Sequence, residues 1–211
     1  MAGTGAMGPV GTAGREPGAK AIGPFEAALG PAAFARLAPE LRAFHACGTG
    51  LWGFAGTVEI KSPSPVGRVF GSMVGAPLKA YKGAFGFELK REGRGDETWT
   101  RRFPGQLMVS KLDFVGGLVL ERLGDQWKNT AGFELVEQDG ALSMRIKSMV
   151  CGLTCPSWAL PRVVATERGE KGWLHFEMEA RALGLGRACS YKGKIDVRKL
   201  MAEIAARPER G

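Results

Sequence analysis

Trp99-Thr100-Arg101-Arg102-Phe103 is the stretch of this chain best equipped for chemistry. As a strand, it places Arg101 between Trp99 and Phe103 on the apolar face, with Thr100 and Arg102 pointing away. A guanidinium on a core-facing stripe needs a partner. That partner is either a protein carboxylate, which makes Arg101 structural, or an acidic ligand in a cavity. A ligand carboxylate or phosphate could be held bidentately, with the aromatics stacking on the guanidinium or on an apolar tail. Glu121 and Glu167 are the candidate protein partners, since both sit in strands rich in apolar residues. Tyr191 shares a face with Cys189, Ile195 and Val197. If buried, its hydroxyl needs a partner, which places it as a candidate for the same cavity.

His45 closes a helical piece after Phe44. It is either a general base beside the cavity or, the reading favoured here, a cap whose charge complements the helix C-terminus. His175 alternates with Trp173, Glu177 and Glu179 on a polar face and reads as solvent-facing. No Gly-x-Ser-x-Gly, phosphate loop or histidine-rich set appears, so no metal or cofactor is expected. Acid–base chemistry would have to run on Glu121, Glu167 and Tyr191. Three residues separate Cys151 from Cys155, unlike the two-residue spacing of zinc knuckles and redox motifs. These two, with Cys47 and Cys189, read as buried free thiols.

The elements that must position these groups are mainly strands. Phe34, Leu37, Leu41 and Phe44 follow helical spacing, with Pro39 dividing two short helices. A first strand spans 51–60, with Trp52, Phe54, Val58 and Ile60 on one face. A helix follows, with Ser64 as N-cap and Pro65 at its first position. Val66, Val69, Phe70, Met73 and Val74 form a stripe expected to face the core rather than a membrane, because no basic face flanks it. From Tyr81 onward strands alternate with tight glycine turns: 93–96, 104–105, 116–117, 124–125 and 139–140. Residues 152–161 hold two prolines and a tryptophan and read as an apolar loop. Three strands follow it, then a short helix from 197 to 206. The expected fold is mainly β (α+β): about ten antiparallel strands in a barrel or strongly curved sheet. N-terminal helices precede it, and one helix is inserted between strands 1 and 2. A barrel of this size can enclose a small ligand.

Composition sets the frame. Residues 1–23 are a Gly/Ala-rich stretch with little to bury and are expected to be a disordered tail, leaving 24–211 as a single domain. Net charge is +8, but Lys and Arg are interspersed with acids, as in Lys90-Arg91-Glu92. That pattern argues for a solvated surface and against nucleic-acid binding. No apolar run is long enough to cross a membrane, and no basic start leads into an apolar core as in a secretory leader. The expected location is cytoplasmic, with an organelle transit segment left open because the first acid comes only at Glu16.

The order of motifs resembles the bacterial domain-of-unknown-function family DUF4166, from about Phe25 to Val197. It rests on Leu29-Gly30 with Phe34 and His45, on Trp99-x-Arg101-x-Phe103, on Ser110, and on Glu121-Arg122 followed by Gly124. The Pro156–Pro161 loop, Glu167, Leu183-Gly184 and Tyr191-Lys192-Gly193 complete it. One departure is Cys155-Pro156-Ser157-Trp158, where the family has Pro-Leu-Pro. Another is the lack of the saccharopine-dehydrogenase-like reductase half that often precedes the family's domain. The resemblance implies a reductase-domain protein as partner and brings no activity.

Three functions follow as expectations. The leading one is a non-enzymatic, calycin-like binding module for a small apolar or amphipathic acid. Arg101, Trp99, Phe103, Glu121, Glu167, Tyr191 and His45 would form the site, with the helix at 65–75 and the loop at 152–161 forming its mouth. The second is an isomerase- or cyclase-type enzyme using the carboxylates of the same cavity. The third is an interaction domain that docks through Trp158 on a reductase partner.

Overall fold

Proline at the first position starts both N-terminal helices, α1 (Pro24–Arg36) and α2 (Pro39–His45). In the computed structural model, the described residues are 22–206 apart from 74, 124–127, 183 and 185. Most of the expected 1–23 tail lies outside them. Ile22 and Gly23 are an exception and already pack on the barrel: a Cβ on Gly23 would stand 2.7 Å from the Arg91 guanidinium.

The strands are β1 (Gly50–Ile60), β2 (Tyr81–Arg91), β3 (Glu97–Phe103), β4 (Gln106–Val115), β5 (Leu118–Leu123) and β6 (Asn129–Gln138). β7 (Ala141–Cys151), β8 (Leu153–Thr154), β9 (Arg162–Glu170), β10 (Trp173–Ala182) and β11 (Gly186–Asp196) complete them. Ten of these close into an antiparallel barrel: β1 to β7 pair in succession, β7 pairs with β9, β9 with β10, β10 with β11, and β11 with β1. The two-residue β8 pairs only with β7. Closure gives every barrel strand two neighbours, so no long edge is exposed.

Each strand sends alternate side chains into the bore, as in β3, where Glu97, Trp99, Arg101 and Phe103 are buried. Antiparallel order places the connections at two ends. At one end α1 and α2 meet the hairpin turns: Ala38 N–H donates to Gly140 O, and Gly172 N–H donates to the buried Glu40 carboxylate at 2.9 Å. The closing helix α4 (Arg198–Ala205) packs against α2 there. This is the helical end.

At the other end α3 (Gly67–Met73) begins a strap across the mouth. Ser64 Oγ accepts from Gly67 N–H at 3.1 Å, the cap expected from sequence. The strap is held on β11 by Ser64 Oγ donating to Arg187 O, and on β4 by Gln106 Nε2 donating to Gly75 O and Ala76 O. The expected core-facing stripe is corrected here: Val66 and Val69 are exposed. Glycines make the contact instead, with Cβ positions on Gly67 and Gly71 falling 2.1 and 2.6 Å from the carbonyl oxygens of Arg187 and Ala188. Only hydrogen fits there. The side chains of Phe70 and Met73, and Val74, fall outside the described residues.

Candidate functional site

β3 aims Arg101 into the bore, opposite Phe87 of β2 and Met108 of β4. The guanidinium donates to Ser110 Oγ at 3.0 Å and, through two nitrogens, to Glu121 Oε1 at 3.2 and 3.3 Å. It also lies 5.1 Å from the Trp99 ring centroid and 6.0 Å from that of Phe87. Both nitrogens share one oxygen, so Glu121 Oε2 carries no hydrogen bond to a described residue. The Arg101 Nε–H is likewise uncommitted. Burial disfavours the Arg101 charge, but the Tyr191 oxygen and the Glu121 and Glu167 carboxylates outweigh it and hold the pKa above the usual arginine value.

Glu167, opposite Phe176 and Leu142 in register, faces the bore from β9. Its Oε2 lies 2.7 Å from His45 Nε2. The expected helix-capping role of His45 is corrected: its ring is fully buried and enters the barrel, stacked on Phe25 at 4.0 Å. Arg91 caps α2 instead, donating from its NH2 nitrogen to His45 O at 2.7 Å and from NH1 to Cys47 O. Arg91 also pairs with Glu97, whose other oxygen accepts from Trp99 Nε1 at 2.7 Å. Phe25 lies parallel to Trp99, with centroids 5.4 Å apart. Helix α1 therefore packs one ring against both His45 and Trp99, and the buried Arg91–Glu97 pair fixes the layer.

A cavity of about 70 Å³ lies in the bore against this layer. Arg101, Glu121, Glu167, Tyr191 and Trp99 line it, within walls of Phe87, Leu112, Val119, Phe133 and Leu174 among others. It has room for roughly five water-sized positions. Of the expected site residues, Phe103 and His45 do not line it. Phe103 sits one rung toward the strap, packed on Phe85 and Tyr191, and His45 reaches the cavity only through Glu167. Burial pushes the Tyr191 phenol up, with the Arg101 cation pulling the other way. Tyr191 is thus a protonated donor at neutral pH. Burial likewise pushes the Cys189 thiol up to about 12, so it is no nucleophile.

The strap and the 152–161 loop lie at the same end, but no described residue of either lines the cavity. Trp158, in a single 3-10 turn, is 76% exposed. All four cysteines are free; Cys47 and Cys189 are buried, whereas Cys151, at the start of this surface loop, and Cys155, within it, are only half-buried. His175 is half-buried on the outer face. Among the described residues, no group of three His, Cys, Asp or Glu is placed to hold a metal ion. No described helix is long and apolar enough to cross a membrane.

Sequence reasoning missed Arg91, Glu97 and Ser110 as interior polar groups. Their signal was parity: Arg91 continues the Phe85-Phe87-Leu89 stripe, and Glu97 precedes Trp99 by two.

A family model described as Domain of unknown function (DUF4166) matches residues 37–195. No curated protein matches the chain. Among solved structures, it is similar to a protein of unknown function from the DUF3598 family of Nostoc punctiforme, at 9% identity and a TM-score of 0.42. That likeness covers 71% of this chain and 47% of the other, so the chain spans about half the length of that protein.

Proposed function

The chain belongs to the domain-of-unknown-function family DUF4166, and from that premise we propose that its barrel is a binding module for a small amphipathic molecule. The observation that carries this reading is the apolar-walled interior cavity into which Arg101, Glu121, Glu167 and Tyr191 converge. Stability alone does not ask for these groups, because packed apolar side chains of similar volume serve a core as well or better. Apolar walls with a few convergent polar groups are the usual makeup of a ligand site.

Size and charge narrow the ligand. A cavity of about 70 Å³ takes a molecule of a few heavy atoms, far below the several hundred Å³ of drug-sized pockets. Arg101 is already matched by Glu121, and Glu167 brings a second carboxylate. An anionic ligand must compete with Glu121 for the guanidinium. A neutral hydroxyl or carbonyl, or an acid that enters with its proton, avoids that competition. Tyr191 and the uncommitted Arg101 N–H would donate to it, and Glu121 Oε2 would accept from it.

The test is an NMR titration of the protein with short-chain alcohols, ketones and carboxylic acids, following the Trp99 indole and Tyr191 signals. The neutral compounds are expected to move both signals at pH 7, with the carboxylates weaker. Glu121→Gln, which removes the competing charge, should improve carboxylate binding. Trp99 and Tyr191 signals unmoved by every compound, or equal affinities in wild type and Arg101→Met, would overturn the reading.

A further inference from the structure

We propose that the strap end of the barrel docks on the surface of an anionic lipid bilayer. This surface is distinct from the interior cavity, and the inference stands whether or not that cavity binds a ligand. Large apolar side chains project from three separate connections at this end. Leu153 and Trp158 on the 152–161 loop are 84% and 76% exposed, Val69 and Val66 on the strap 65% and 54%, and Leu107 beside the β3–β4 turn 54%. Exposed cations stand on or beside the connections of this end: Lys61, Arg68 and Lys79 along the strap, Lys128 before β6 and Arg162 at the start of β9.

None of these five cations forms an ion pair with a described residue. Among the described residues, the connections at this end carry no Asp or Glu; Asp125 is outside them. Two surface cations on the strands, Arg102 and Arg181, are paired, with Glu88 and Glu179 on the strands. The helical end, by contrast, mixes both signs, with Glu26, Glu92, Asp96 and Asp139 among Arg36, Arg42, Arg94 and Lys171.

Apolar tips that include a tryptophan, on the same end as unpaired Lys and Arg, suit the boundary of an anionic bilayer. The tips enter the headgroup region, and the cations face acidic lipid. A protein partner fits less well, because protein interfaces are depleted in lysine and want a continuous apolar core rather than tips on separate loops.

Flotation of the full chain with phosphatidylcholine vesicles, with and without phosphatidylserine, tests this. The protein should float with phosphatidylserine vesicles only and be released by high salt. Arg68→Glu with Arg162→Glu should lower partitioning at least about tenfold, since each basic residue near the surface contributes roughly fivefold. Arg42→Glu with Lys199→Glu, at the helical end, should leave it unchanged. Bromine-labelled lipid should quench Trp158 emission, and that quenching should vanish in Trp158→Phe. A chain that stays unbound, including one that instead binds a protein through Trp158, sinks the proposal. So does equal loss from the two double reversals, which would indicate attraction by net charge alone.

Discussion

At the helical end, α1 and α2 drive Phe25 and His45 into the bore, and the buried Arg91–Glu97 pair locks α2 and Trp99 to the floor. At the strap end one segment crosses the mouth on backbone contacts, and large apolar side chains point outward. One end is closed by side chains inserted into the barrel; the other is spanned by main chain laid over it. Inserted side chains couple an end to the whole core, whereas tips laid outside can change without reaching it. The polar groups of the cavity lie between these two regimes.

The sharpest way to break this contrast is at the floor. Glu97→Ala leaves Arg91 buried and unpaired, and a loss of about 3–5 kcal/mol is expected. Denaturant unfolding measures it, and a loss below about 1 kcal/mol would show that the floor is not coupled to the core. In the cavity layer Arg101→Ala strands Glu121 and should cost a similar amount. Arg101→Met with Glu121→Leu should be close to neutral or stabilising. If the double variant is as unstable as the single, the pair contributes more to stability than a packed apolar core would.

Alkaline pH reaches the same layer without mutation. Cys189 titrates near 9.0 when unfolded but at about 12 when folded, and Tyr191 is also raised. Both contributions are complete below the unfolded pKa values and fade as pH climbs through the folded ones. Stability should therefore fall from about pH 9 upward, with the Cys189 part reaching about 4 kcal/mol at most. Unfolding curves at stepped pH should flatten in Cys189→Ala; identical slopes for the two proteins would remove Cys189 as a contributor.

Smaller effects are expected at the strap. Gly71→Ala puts a Cβ 2.6 Å from Ala188 O. That overpacking, about 1–3 kcal/mol, should exceed the helix-propensity gain of about 1 kcal/mol. A Tm that rises instead would show that the strap can shift. Smallest of all, Trp158→Ala should change stability by no more than about 0.5 kcal/mol. A larger loss would mean that the loop belongs to the core.

The meander was readable because alternation and glycine turns are local signals, and Pro39 and Ser64 marked the division of the N-terminal helices and the cap of α3. Barrel closure was not readable at the level of pairs, since β1 meets β11 across most of the chain and no local pattern encodes that register. The seat of α3 was misread because its contact face, Gly67 and Gly71, carries no hydrophobic signal, while Val66 and Val69 of the apolar stripe face water. Arg101 was found because aromatics flank it; Arg91 was missed because charged neighbours made it look solvated. The choice between Glu121 and Glu167 had no local answer. Glu121 takes Arg101, and Glu167 takes a histidine 122 residues away in sequence.

The β1–β11 seam also sets an order of events. Gly56 pairs with Ile195, so the cavity has no complete wall until the last strand is present. Loop-closure entropy makes such distant pairings slow to form. During synthesis β2 to β7 can zip as hairpins, but Arg101 and Glu121 then wait on an open sheet in contact with water. Tyr191 arrives on the strand that shuts it, so enclosure of the charged pair waits for β11.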